Sequence, residues 1–111
     1  MIFEDNDIVI VPFPFTDKSS SKRRPAVVLS NKDFLESTEH VIAAMITSAR
    51  NSDWISDVKI GSLKSSGLSV PCVIRMKLFT LSKTLIIRKI GKLSSADARL
   101  LRSRLASVMP L

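Results

Sequence analysis

The chain has 111 residues, enough for one small domain around one core. Hydrophobic residues make up 45% of it, too many for a disordered chain. Lys and Arg number 17 against 10 Asp and Glu, a net charge of +7 that points to a polyanionic partner: nucleic acid, an acidic protein or an anionic membrane surface.

The opening "MIFEDND" is acidic and has no long apolar stretch, so no secretory leader is expected. The acids Glu4, Asp5 and Asp7 read as a solvated terminus. In "DIVIVPFPF" the β-branched run Ile8, Val9, Ile10 and Val11 predicts a strand with both faces partly covered. Pro12 and Pro14 mark an edge or a bend at its far end. Phe13 and Phe15 alternate with those prolines; one is expected in the core, the other is open to a base-stacking role. "DKSSSKRR" reads as a polar, positively charged loop.

"PAVVLS" is a second predicted strand, and "NKDFLEST" a short helix or irregular turn capped by Asn31. "HVIAAMITS" is a third strand, with His40, the one histidine, at its start. "NSDWISDVKIGS" holds a turn and then a short strand around Val58 and Ile60. Trp54 in that turn reads first as a half-buried loop anchor and second as a platform for a base. "LKSSGLS" reads as a loop, and "VPCVIRMKLFTLS" and "TLIIRKIG" as further strands. The lone cysteine, Cys72, reads as a small buried hydrophobe and fits a reducing cytoplasm. "SSADARLLRSRLASV" places Ala98, Leu101, Leu105 and Val108 on one helical face, with Ser94 and Asp97 spaced as a capping box. Arg99, Arg102 and Arg104 are expected to point away from that face, and Pro110 marks its stop. The pattern predicts a mainly β, small barrel with one C-terminal helix packed on it, one domain spanning residues 1–111. No apolar run reaches the roughly 18 residues of a membrane span.

The chemical inventory is narrow. One histidine gives no acid–base pair, no Cys/His cluster suits zinc, and Gly61, Gly67 and Gly91 are too scattered for a phosphate cradle, so no cofactor is expected. Cations and hydroxyls remain. Such a set can cleave RNA, which carries its own nucleophile: the 2′-OH attacks the adjacent phosphorus, and the protein aligns the attack and stabilises the added negative charge.

"DIVIVPFPFTD", "KRRPAVVLS", "VIAAMITS" and "IGKLS" before the helix together resemble the MazF/PemK toxins of type II toxin–antitoxin pairs, from about Asp7 to Val108. The resemblance implies an SH3-like barrel, metal-independent cleavage of single-stranded mRNA, a homodimer and an acidic antitoxin partner. It places the catalytic pair at Arg24, just before Pro25, and at Thr47 near the end of the third strand. Pro25 restricts Arg24 to extended backbone, which fixes the origin of its guanidinium. Lys18, Lys22 and Arg23 are expected to hold phosphates, with Ser48 and Phe15 as further RNA contacts. The family commonly starts its first strand with Gly-Asp; here Asn6-Asp7 stands there, and Asn tolerates the left-handed turn. Residues 51–69 match the family poorly. Two rivals stay open: a non-catalytic SH3-like relative such as a gyrase poison, and a module that binds nucleic acid or peptide without cutting it.

Overall fold

A computed structural model describes residues 2–14, 17–19, 22–50 and 53–110. Six strands run β1 (Asp7–Pro12), β2 (Arg23–Val28), β3 (His40–Ser48), β4 (Val58–Lys59), β5 (Cys72–Ser82) and β6 (Arg88–Lys92). Three helices interrupt them: α1 (Lys32–Thr38), α2 (Leu63–Ser66) and the C-terminal α3 (Ser95–Val108). The strands form one antiparallel sheet in the order β4-β5-β3-β2-β1-β6. The sheet curls into a half-barrel, the mainly β architecture with a C-terminal helix that the sequence predicts.

Both faces of this sheet are packed. Ile8, Val27, Ala44, Ile46 and Ile74 face α3, β4 and Leu93, where Ala98 and Leu101 close the core. Val9, Val11, Ala26, Val28, Ala43 and Leu81 face the other way, under Phe3, Leu35 of α1 and Ile86. This two-sided burial explains why β1 is an unbroken apolar run rather than an alternating one. β1 lies inside the sheet, between β2 and β6, and Pro12 ends it opposite Arg23.

Local chemistry sets the ends of the elements. Asn31 accepts the Phe34 N–H at 2.9 Å and starts α1. Ser94 accepts the Asp97 N–H at 3.1 Å and starts α3. Asn6 adopts φ 75, so the left-handed turn expected before β1 is present without glycine. Along α3, Ala98 and Leu101 are buried, whereas Val108 at its end is exposed.

Four sequence expectations change. Asp7 is not solvated: it is 0% exposed, accepts the Glu4 N–H at 3.0 Å and lies 3.1 Å from Lys89 Nζ, because β6 folds its lysines over the start of β1. The Asp97 carboxylate does not return to its own cap. It accepts the backbone N–H groups of Gly61 and Ser62, both at 3.0 Å, and so pins the segment after β4 to the first turn of α3. "LKSSGLS" contains a helical turn, α2, capped by Ser62 and ended by Gly67 at φ 75. "TLIIRKIG" begins with a 3₁₀ turn over Lys83–Leu85 before β6 starts.

Candidate active site

The site lies where one face of the sheet runs out of cover. Strand pairs place Val11 opposite Arg24, Ala26 opposite Met45 and Thr47 opposite Val73. Side chains alternate along a strand and share a face across it. Arg24, Met45 and Thr47 therefore continue the face whose earlier positions lie under Phe3, α1 and Ile86. Beyond that cover a cavity of about 360 Å³ opens, lined by Phe13, Arg24, Met45, Ile46, Thr47, Arg75 and Lys77.

β5 adds the last two cations at alternate positions, across a β-bulge. Ala44 pairs with Leu78 and Ile46 with Ile74, so residues 75, 76 and 77 of β5 stand against Met45 alone. Met76 packs on the core cluster facing α3, and Arg75 and Lys77 line the cavity. Arg75 is 7% exposed. Its Nε donates to Asp57 Oδ1 at 3.1 Å and its Nη2 to Asp57 Oδ2 at 2.8 Å. This two-pronged pair lowers the Asp57 pKa, chiefly through the hydrogen bond from Arg75, and raises that of Arg75 for the same reason. Arg24 is exposed and lies over the Phe13 ring, 5.8 Å from its centroid.

Of the residues singled out in the sequence, Arg24 and Thr47 come together in this cavity from two strands, 23 positions apart. Ser48 lies next to Thr47, and its hydroxyl accepts the Arg50 N–H at 3.3 Å. Lys22 and Arg23 are exposed on the approach to β2, outside the cavity lining. Lys18 does not join them: it lines a separate cavity of about 210 Å³ with Phe3, Lys83, Thr84 and Ile86. Phe15 lies outside the described residues. His40 begins β3, seven residues and roughly 23 Å of strand from Thr47. Its Nδ1 lies 2.7 Å from the Thr38 carbonyl oxygen. Cys72 is buried, and burial pushes its thiol pKa up, which suits an inert core residue.

Arg75, Lys77 and Asp57 carry no role in the sequence reading. The signal was present: Arg75 and Lys77 interrupt the apolar strand "VIRMKLF" two residues apart. Among the described residues no three His, Cys, Asp or Glu side chains group as a metal site, and no helix is long and apolar enough to cross a membrane.

The curled sheet with its C-terminal helix is a fold shared with several solved proteins. The chain aligns with a MazF from Deinococcus radiodurans at TM-score 0.77 and 18% identity, over 100% of this chain and 99% of that one. A mycobacterial endoribonuclease in complex with its cognate antitoxin aligns at TM-score 0.78 and 16% identity, over 98% and 96%. The Mycobacterium tuberculosis toxin MazF-mt6 aligns at 0.74 and 21%, over 95% and 97%. No curated protein sequence matches. The profile of the family described as PemK-like, MazF-like toxin of type II toxin-antitoxin system matches residues 4–109, and the chain belongs to that family.

Proposed function

We propose that this protein is the toxin of a type II toxin–antitoxin pair and acts as an endoribonuclease on single-stranded mRNA. The observation that carries the reading is the convergence of Arg24 and Thr47 in one open cavity, joined there by Arg75 and Lys77. A solved relative carrying the name endoribonuclease supports it.

The RNA 2′-oxygen bonds to the adjacent phosphorus as the bond to the 5′-oxygen breaks, leaving a 2′,3′-cyclic phosphate and a 5′-OH. The 2′-OH loses a proton and the departing oxygen gains one. Negative charge builds on the equatorial oxygens of the five-coordinate phosphorus. The Arg24 fork meets that charge with two parallel hydrogen bonds. The Thr47 hydroxyl lines the same cavity and orients a phosphate oxygen or a transferring proton. The lining residues contribute cations and a hydroxyl but no carboxylate, imidazole or thiol. In this reading the protein's part is alignment and charge stabilisation, and cleavage proceeds without added metal. Lys22 and Arg23 attract and hold the backbone outside the cavity.

The partner in this reading is an acidic antitoxin segment that follows the +7 surface and covers the cavity. The active form is a homodimer. The test is purified protein with single-stranded RNA and excess EDTA, with the new ends mapped. Fragments ending in 2′,3′-cyclic phosphate, lost in Arg24→Ala, are expected. Intact RNA at high enzyme, or cutting that appears only on adding magnesium, overturns the reading.

A further inference from the structure

Two cations of the cavity also touch the chain's one tryptophan, Trp54. Arg75 lies over the Trp54 ring, 5.1 Å from its centroid, and Lys77 Nζ lies 5.7 Å from it. Both cations line the cavity that holds Arg24 and Thr47. Trp54 is 40% exposed.

The turn bearing Trp54 is held by other groups. The Trp54 N–H donates to Asp57 Oδ2 at 3.0 Å, and the Asp57 N–H donates to the Trp54 carbonyl at 3.0 Å. Asp57 in turn grips Arg75 with both oxygens. Arg104 of α3 donates to the Ile55 carbonyl at 2.9 Å. These bonds hold the turn without the indole, and Trp54 keeps part of its surface open to solvent. Two exposed aromatics thus lie against lining cations, Phe13 under Arg24 and Trp54 under Arg75.

We propose that Trp54 is a base-stacking subsite: a nucleotide next to the scissile phosphate lays its base on the indole, while Lys77 takes the phosphate beside it. Asp57 acts as a positioning residue, holding Arg75 and the turn so that the ring faces the strand. This rests on the RNA-cleaving reading of the cavity. It adds that residues 54–57, where the family resemblance is poorest, form part of the RNA site. Stacking on an indole tolerates any base, so the subsite supplies affinity and register more than sequence choice.

The chain has one tryptophan and no tyrosine, so its emission reports on this ring alone. The probe is a mixed-sequence 2′-O-methyl RNA 12-mer, which has no 2′-OH nucleophile and cannot be cut. Its control is an abasic strand with the same number of phosphates. The 12-mer should quench wild-type emission with the midpoint that anisotropy of the dye-labelled strand gives, and the bound abasic strand should leave emission unchanged. Trp54→Ala should weaken binding about 5- to 150-fold. Trp54→Phe, which keeps an aromatic face, should bind within about threefold of wild type. Asp57→Asn should reduce the quench at saturation.

Unchanged emission at saturation, equal quenching by the abasic strand, or wild-type affinity in Trp54→Ala overturns the subsite. So does an emission change with an acidic peptide but none with the 12-mer. Quenching by the 12-mer in a protein that cuts no RNA keeps the subsite and rejects the ribonuclease reading. Cutting without quenching does the reverse.

Discussion

Arg24 shows how much one side chain can owe to its neighbour. Pro25 holds it extended at the mouth of β2, and the β1 pairing of Val11 with Arg24 directs it onto the uncovered part of the sheet face. Because the side chain is exposed, its removal should leave the fold within about 0.5 kcal/mol of wild type. Cleavage should fall much further. Losing one preorganised donor to a developing oxyanion costs about 10²–10³ in rate. Arg24→Ala should show that loss in single-turnover cleavage with an unchanged thermal melt. Arg24→Lys keeps the charge without the fork and should stay strongly impaired. RNA affinity should drop far less, since Lys22, Arg23 and Lys77 remain. Near wild-type cleavage by Arg24→Ala would remove the residue from the mechanism.

Two elements are stapled together by contacts that a substitution can probe. α2 lies so close to β6 that a Cβ on Gly91 would sit 2.4 Å from the Ser66 carbonyl carbon and oxygen. Backbone cannot yield as a flexible side-chain end does, so Gly91→Ala should destabilise by about 1–3 kcal/mol, read from urea melts. A melt unchanged from wild type would mean that the two elements separate freely. The second staple is the ion pair between the 54–57 turn and β5. Bonding to Arg75 lowers the Asp57 pKa below its unfolded value. The stability it contributes is therefore complete above the unfolded carboxylate pKa, near pH 4. It is lost as pH falls below that, through the lowered folded value. Urea melts of wild type should weaken between pH 5 and pH 2.5, and Asp57→Asn should weaken less over the same interval. Equal losses in the two proteins would count against this contribution.

At the scale of the whole molecule the charge of +7 governs encounter. Binding to single-stranded RNA should weaken with salt by a log–log slope of about 0.7 per phosphate contact. Lys22→Ala with Arg23→Ala should lower that slope by about 1.4 and weaken all sequences alike. A change in preferred sequence with affinity intact would give these residues a different role. Antitoxin affinity should likewise fall with salt. Light scattering at micromolar concentration should give twice the 12.3 kDa chain mass. A monomer there would count against the homodimer.

The sequence by itself determined most of the elements, though not α2 or the 3₁₀ turn before β6, and half of the candidate site. β-Branched runs mark β1 and β3, Asn31 and Ser94 announce their helices, and the Arg24-Pro25 junction singles out one cation. These signals are local, because a strand's alternation, a cap or a proline's restriction acts within a few residues. The tertiary structure alone decided the rest. Asp57 meets Arg75 across 18 residues, and Asp97 meets Gly61 across 36. Arg75 and Lys77 share one face of β5, strand order sets that face beside Arg24 and Thr47, and Lys18 lines a separate cavity. Such meetings depend on strand order, on register and on how far the sheet curls. Many chains with the same local pattern would curl differently, so pattern alone does not say which charges will face each other.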